Sequence, residues 1–339
     1  LQLMLRETGE NQLELIENDP DELRGFARLP HPDPGDLFFD MEGDPLEEGG
    51  LEYLFGICYH ENGESQFKPF WAHSREEERK AFEDFMAFVM DRLARYPHMH
   101  IYHYAPYEET ALKKLMSLHG TCEAEVDHLL RSEKLVDLYK VVREAILVSE
   151  PRYSIKNLET FYMGKRDGEV TDAGASIVFY ERWKETQNPE ILKQICDYNE
   201  DDCRSTYLLR EWLLSIRPAS YPWFNDRSDE PPEEQKSEKA HEAEERLARY
   251  ADNLLGNLPE ERSQWSEDGH LRELVYQLLD FHRRASKPVW WAMFARQEMT
   301  EEELVEYPES IGGLESVVAY PPEQVKQSVV YTYRYPEQE

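Results

Sequence analysis

The sequence predicts a mixed α/β fold in which helices flank a five-stranded sheet. Two observations support this class. Three runs rich in apolar and aromatic residues, starting near Leu37, Leu51 and Gln66, follow one another with short turns between them, which is typical of an antiparallel meander. Segments with helical periodicity then alternate with two further short strands, and strands separated by helices usually join through right-handed crossovers.

The signals for the individual elements follow in chain order. Leu37-Phe38-Phe39 indicates a buried strand, and Asn62-Gly63 is a hairpin signal between the next two strands. Ser74 and Glu77 form a capping box that opens a helix ending near Arg95. The other predicted elements of this region are strands 51–59, 66–71, 98–104 and 134–138 and helices 108–119, 139–145, 155–162, 175–186 and 189–215.

Composition divides the chain into one main domain and several appendages. Prolines and charges between Arg217 and Ser237 indicate a linker. Because the chain opens Leu-Gln-Leu-Met and ends just after a strand-like run, we expect a piece of a longer polypeptide. The predicted segments are a peripheral N-terminal stretch (1–34), the α/β domain (35–216), the linker (217–237), a mainly helical segment (238–313) and the start of a small, truncated β unit (314–339).

Composition also restricts the possible functions. Hydrophobic residues make up 40% of the chain and aromatic residues 12%, which is typical of a globular protein. The net charge of −32 argues against a generally polycationic surface, although a basic groove can lie on an acidic body. Four cysteines without C-x-x-C spacing indicate a reduced, cytoplasmic protein. No apolar run is long enough to span a bilayer, so we expect no membrane partner.

Two acidic residues follow the first buried strand. Asp40 and Glu42 are two positions apart, so on a strand their side chains point to the same face. Two like charges at the end of an apolar strand must be solvated or neutralised. A divalent cation that prefers oxygen ligands, such as Mg²⁺ or Mn²⁺, neutralises such a pair. The sequence therefore predicts a metal site here.

Other acids are predicted to reach the same place. Tyr198 and Asp202 are four positions apart in a long helix, on a face whose other residues are apolar. Glu108 lies in the first turn of a helix that begins after Pro106, at the end of the fourth strand. Asp201 is adjacent to Asp202, and the sequence pattern does not decide which of the two side chains faces inward.

These patterns together resemble a known superfamily. The D-x-E strand, the later aromatic–acid pair and the Y-x-x-x-D helix are similar to the DEDD superfamily of 3′–5′ exonucleases, in its tyrosine branch, which has an RNase H-like fold. A more specific likeness is to the RNase H-like exonuclease domain of bacterial RecB-like nuclease/helicase fusion proteins, and it covers about residues 35–214. The segments that carry this likeness are Ser154–Glu159, Gly174–Ile177 and Tyr198–Cys203.

The resemblance implies roles for individual residues. Asp40 would bridge two metal ions, either Mg²⁺ or Mn²⁺, and Glu42 and Asp202 would be further metal ligands. Tyr198 would position and help to deprotonate the attacking water. Glu108 stands where the superfamily usually has aspartate, which is a departure from the pattern. All five residues are therefore predicted to be catalytic, and the four acids are the predicted metal ligands.

A second set of residues is predicted to support this site or to bind substrate. Asp137, His103 and Asp201 are candidate supporting residues. Tyr107 is a candidate substrate contact. Arg152 and Lys156 could bind substrate phosphate, and solvation at the surface is an equally good interpretation of both.

The resemblance implies a metal-dependent 3′–5′ exonuclease that acts on single-stranded DNA, with RNA open as the alternative. Its partners would be nucleic acid and covalently linked RecB-like nuclease and helicase domains. The rival hypothesis is a catalytically inactive RNase H-like module that positions nucleic acid or scaffolds a larger helicase protein. Glu108 and the acidic surface favour the rival. The acids of the cluster favour the enzyme, since a scaffold has no need for unpaired carboxylates.

Overall fold

The computed structural model describes two compact units, Leu1–Glu242 and Ala243–Glu339. Within them the described residues are 1–163, 173–226, 238–259, 262–279, 281–299, 304–305, 310–317, 319–326 and 328–336. The predicted linker, 217–237, is therefore described only as far as Asp226. Among the helices of the described residues, none is both long and apolar enough to cross a lipid bilayer.

The first unit contains all of the elements around the predicted site. In chain order they are α1 (Gln2–Thr8), β1 (Leu13–Leu15), a 3₁₀ turn (Gly25–Arg28), β2 (Leu37–Asp44), β3 (Leu51–Glu61), β4 (Glu64–Trp71), α2 (Arg75–Arg95), β5 (Ile101–His103), α3 (Tyr107–His119), α4 (Glu123–Arg131), β6 (Leu135–Asp137), α5 (Leu138–Ala145), β7 (Ile146–Val148), α6 (Ile155–Tyr162), α7 (Ala173–Thr186), α8 (Pro189–Ile216) and a 3₁₀ turn (Phe224–Asp226).

The remaining elements are mainly helical and end in short strands. They are α9 (Glu238–Leu255), a 3₁₀ turn (Arg262–Gln264), α10 (Glu267–Leu279), α11 (Phe281–Glu298), β8 (Glu315–Ser316), β9 (Glu323–Val325), β10 (Ser328–Val330) and β11 (Tyr333–Arg334). The strands form two antiparallel pairs, β9 with β10 and β8 with β11.

A five-stranded mixed sheet forms the centre of the first unit, in the order β4-β3-β2-β5-β6. β2, β3 and β4 form an antiparallel meander, whereas β5 pairs in parallel with β2 and β6 pairs in parallel with β5. This topology confirms the predicted fold class. β2 occupies the middle position, and the carboxyl ends of β2, β5 and β6 therefore lie at one edge of the sheet.

The two faces of β2 pack against different helices. Phe39 packs against Phe85 of α2, with ring centroids 4.6 Å apart. Phe38 packs against Tyr207 of α8, with ring centroids 5.0 Å apart. Because side chains alternate along a strand, residues two and four positions after Phe38 share its face. The acids that follow Phe38 on β2 are consequently directed to the side of α8.

The structure also contains elements that the sequence patterns did not predict. β1 and β7 form a separate antiparallel pair, and α4 follows α3. The predicted peripheral stretch, residues 1–34, contributes Phe26 and Leu29 to the hydrophobic core, and both are fully buried. The start of the predicted linker packs beside this stretch, because Phe224 N donates to Leu29 O at 3.0 Å.

A buried arginine ties α2 to the start of β2 and the end of β3, which lie at the same end of this antiparallel pair. Arg92 is fully buried. Its Nε donates to Gly35 O (2.7 Å), its Nη2 donates to His60 O (2.8 Å), and its Nη1 pairs with Glu61 (2.8 Å). A guanidinium can be buried when its donors are satisfied in this way.

We predict that Arg92→Met lowers the free energy of unfolding by about 3 kcal/mol, because it leaves buried carbonyl groups without donors. The matched control is Arg95→Met on the same helix, whose side chain is 46% exposed and pairs with Glu61 and Asp91. The control should cost less than about 0.5 kcal/mol. Urea unfolding followed by circular dichroism measures both, and equal losses would contradict the structural role of Arg92.

Candidate metal centre

Three carboxylates converge where β2 faces α8. Asp40 and Glu42 come from β2 and Asp202 comes from α8, and one carboxylate oxygen from each lies within 4.8 Å of the others. The convergence follows from the fold, because α8 packs against β2 and β3. Within the described part of the chain, this is the group of acids, histidines and cysteines with the spacing of a metal site.

The electrostatics of this cluster favour a bound cation. Burial, followed by the charges of Asp202 and Glu42, raises the pKa of Asp40 well above its usual range. Burial and the charge of Asp202 raise the pKa of Glu42 to about 8. Like charges within a buried volume disfavour ionisation of one another. A divalent cation among these oxygens would remove that repulsion, and carboxylate oxygens are the ligands that Mg²⁺ and Mn²⁺ prefer.

Two polar residues that sequence reasoning missed hold the carboxylates of β2. Asn199 Nδ2 donates to Asp40 Oδ2 at 2.7 Å, and the Asn199 side chain also hydrogen bonds to Glu42. Ser176 of α7 hydrogen bonds to Glu42, and its Oγ lies 2.7 Å from Tyr53 Oη. Both residues are fully buried. The signal that could have found them is a small polar residue on the inward side of a helix.

The Asn199 carboxamide can lie directly against β3 because the residue that it approaches there is a glycine. Gly56 of β3 lies opposite Asp40 in the antiparallel register. A Cβ atom added to Gly56 would lie only 1.7 Å from Asn199 Oδ1. Any side chain at this position would therefore displace Asn199 and with it the hydrogen bond to Asp40.

Tyr198 and Lys156 flank Asp202. The Tyr198 hydroxyl donates a hydrogen bond to Asp202, one helical turn later on α8. Burial and the negative charges of Asp202 and Glu42 raise the pKa of Tyr198 far above its usual range, so the phenol keeps its proton. Lys156 Nζ contacts Asp202 Oδ1 and lies 4.5 Å from the centroid of the Tyr198 ring. The Lys156 ammonium thus offsets part of the negative charge of the cluster.

Glu108 lies beside this cluster and next to a histidine. It is buried at the start of α3, and its Oε2 lies 3.5 Å from His103 Nδ1. Burial opposes a charge on His103, but the Glu108 carboxylate and the charge of Asp137 raise the pKa of His103 to about 9. Glu108 is not in the group of three converging carboxylates. Its role as a fourth ligand therefore stays a prediction.

Asp137 has a structural position at the carboxyl end of β6. Its Oδ1 accepts hydrogen bonds from Tyr139 N and Ala105 N, each at 2.9 Å. The first bond caps α5. The second holds the turn that connects β5 to α3, where Ala105 has a φ of +70°. Asp137 thereby helps to fix the positions of His103 and Glu108.

The remaining predicted site residues lie around the cluster. Asp201 is half-buried next to Asp202 and is not part of the converging group. Tyr107 is 49% exposed and donates its hydroxyl to Glu52 Oε2 at 2.7 Å. Together with Asp40, Glu42 and Glu108, Tyr107 lines a cleft of about 610 Å³. Arg152 is exposed.

A comparison with protein families matches residues 37–214 to the RNase H superfamily. The match covers more than half of the 339 residues. The chain belongs to the RNase H superfamily. The matched residues run from the start of β2 almost to the end of α8, so they contain the whole carboxylate cluster of this RNase H superfamily domain. No curated protein matches the chain, and no solved structure does.

Membership of the RNase H superfamily indicates which chemistry the carboxylate cluster fits. RNase H-like domains act on nucleic acids with divalent metal ions, and the acidic cluster of this domain fits nuclease activity. Asp40, Glu42 and Asp202 supply the hard oxygen donors that such an ion requires. Burial and the neighbouring carboxylates raise the pKa of Asp40 and of Glu42, and a bound cation would offset both effects.

We predict that Asp202→Asn weakens Mn²⁺ binding at least about tenfold, because it removes one of the converging carboxylates. Asp201→Asn is the matched control, since it makes the same chemical change one residue earlier and should leave the affinity within about twofold. Isothermal titration calorimetry measures both constants. Equal effects of the two substitutions would contradict the assignment of the inward-facing acid.

We predict that Gly56→Ala weakens Mn²⁺ binding and lowers stability by about 2 kcal/mol, because the new Cβ displaces Asn199. A double-mutant cycle with Asn199→Ala tests the cause. In the Asn199→Ala background, most of the effect of Gly56→Ala should disappear. An undiminished effect in that background would mean that Gly56 acts through another neighbour, such as Phe67.

Proposed function

We propose that the chain is a metal-dependent 3′–5′ exonuclease of the tyrosine branch of the DEDD superfamily, hydrolysing phosphodiester bonds of single-stranded DNA or RNA. One observation carries the proposal. The D-x-E acids of β2, Asp40 and Glu42, meet Asp202 of α8, and Tyr198 lies one turn before Asp202 on the same helix. This is the combination of residues that the exonuclease chemistry needs.

We assign the metal ligands from this combination. Asp40, Glu42 and Asp202 would hold Mg²⁺ or Mn²⁺, and Glu108 would complete the second of two ion sites. When bound, two such ions stabilise the attacking and leaving oxygens of an in-line phosphodiester displacement. Glu108 is one methylene longer than the usual aspartate, and its buried Oε2, which has no hydrogen-bond partner among the described residues, is free to bind an ion.

The side chains around Asp202 would orient the reactants. Tyr198 lies one helical turn before Asp202, and its hydroxyl would position the attacking water and help to deprotonate it. The Lys156 ammonium lies beside Asp202 and would contact a phosphate oxygen of the substrate. Asn199 and Ser176 would keep the carboxylates of β2 in place during turnover.

The wider setting is part of the same proposal. Residues 35–216 would form the catalytic domain, joined through residues 217–237 to the helical segment 238–313 and the β unit 314–339. The partners would be single-stranded nucleic acid and covalently linked RecB-like nuclease and helicase domains, in the cytoplasm. The likeness of Ser154–Glu159 and Tyr198–Cys203 to those fusion proteins supports this setting.

We predict that the chain shortens 5′-labelled single-stranded oligonucleotides from the 3′ end in the presence of Mg²⁺ or Mn²⁺. Asp40→Asn should abolish the activity, because it removes the most central carboxylate. Tyr198→Phe should lower kcat by about 10²- to 10³-fold, since it removes the hydroxyl that positions the water. Denaturing gels with DNA and RNA substrates, run side by side, measure rate, polarity and sugar preference.

The matched control is Tyr207→Phe, which removes a hydroxyl from the same helix but packs against Phe38 and His60 away from the acids. It should keep nearly full activity. Mn²⁺ binding at Asp40 and Asp202 without any cleavage of DNA or RNA would contradict the exonuclease and support the rival hypothesis of a non-catalytic nucleic-acid-positioning module.

A further inference from the structure

A group of basic and aromatic side chains adjoins the carboxylate cluster without belonging to it. We name it the basic–aromatic strip and define it as Lys140, Arg143, Arg152, Lys156, Tyr104, Tyr139 and Tyr153. The strip lies between the end of β5 and the start of α6. Its basic members are exposed or half-exposed, and its tyrosines are half-buried.

Several members of the strip contact one another or the carboxylate cluster. Lys156 contacts Asp202, and Tyr153 lies just before the Ser154 cap of the same helix, α6. The Arg143 guanidinium lies 5.5 Å from the centroid of the Tyr153 ring and 5.9 Å from that of Tyr139.

The tyrosines of the strip are also tied to β5. Tyr104, which follows β5, packs edge-on against Tyr139 with ring centroids 5.6 Å apart. Its hydroxyl donates to the Tyr153 carbonyl. Arg143 and the three half-buried tyrosine rings thus form one connected group.

The charge of the strip contrasts with that of the whole chain. The protein has 70 acidic and 38 basic residues, so most basic side chains can find a carboxylate. Arg131, for example, pairs with Asp127 at 2.7 Å. Among the residues that the structure describes, by contrast, no carboxylate lies within ion-pair distance of Lys140, Arg143 or Arg152.

The acids closest to these residues in sequence are engaged elsewhere. Glu144 is buried and pairs with Arg28 at 2.7 Å. Glu150 accepts a hydrogen bond from Asn157 Nδ2 at 2.9 Å. Lys156 pairs with Asp202 and the charge of Lys140 acts on the Glu109 carboxylate, so Arg143 and Arg152 are the basic members of the strip whose charge no described carboxylate offsets.

We propose that the basic–aromatic strip binds a single-stranded nucleic acid and directs its end to the carboxylate cluster. The guanidinium groups of Arg143 and Arg152 match the phosphates of such a strand, and the exposed parts of the half-buried rings offer stacking surfaces to its unpaired bases. A duplex, whose bases are already stacked, could use only the cations. The direction of the strand rests on the proposed exonuclease function, whereas the binding surface does not.

The test measures binding apart from cleavage. In the full chain carrying Asp40→Asn, fluorescence anisotropy with labelled single-stranded DNA and RNA gives Kd at several salt concentrations. Arg143→Gln/Arg152→Gln should weaken binding about tenfold or more and reduce the slope of log Kd against log salt by about 1.4, or 0.7 for each lost phosphate contact. Arg152→Glu should weaken binding further than Arg152→Gln.

The matched control is Arg95→Gln/Arg131→Gln, which removes two exposed guanidinium groups from other helices and should change Kd less than about twofold. Equal losses in both double variants, or duplex binding as tight as single-strand binding, would overturn the strip as a single-strand site. The two proposals can fail separately. If Arg143→Gln/Arg152→Gln alone weakens binding but the wild-type chain cleaves no substrate, the exonuclease proposal is overturned and the proposed binding surface is supported.

Discussion

Repulsion between carboxylates is the constraint on which the centre of this domain depends. Asp40 and Glu42 share one face of the central strand, and Asp202 is brought against them by a helix that packs on the same face. The apolar contacts of Phe38 and its neighbours hold these elements together despite the repulsion. Asn199 and Lys156 offset part of it through a hydrogen bond and an ion pair. A bound cation would neutralise the negative charge that remains.

The same reasoning explains how a strongly acidic chain can belong to a superfamily that acts on polyanions. Net charge governs long-range steering, whereas binding depends on the charges within a few ångströms of the ligand. Here the acids nearest the centre point at one another and at the metal site. Arg143, just beyond it, lies over the rings of Tyr139 and Tyr153 and pairs with no carboxylate of the described residues. The charge of a small region of the surface can therefore be opposite in sign to the net charge of the whole chain.

Sequence patterns predicted the sheet and most helices, because the periodicity of buried residues survives without tertiary context. They also placed Asp40 with Glu42 and Tyr198 with Asp202, since each pair is fixed by local geometry. They did not predict α4, whose nine residues bury only Val126 and Leu129, too short a pattern to stand out. The roles of Asn199 and Gly56 could not be predicted either, because they arise from a close approach between a helix and a strand distant in the chain.

The hydrogen bond between Asn199 and Asp40 joins residues that are 159 positions apart in the sequence. Closing so long a loop is entropically costly, and the contact can form only after the intervening sheet and helices are in place. During synthesis, a chain that has not yet been extended through α8 has the acids of β2 but neither Tyr198 nor Asp202. A nascent chain of that length therefore cannot yet assemble the cluster of three carboxylates.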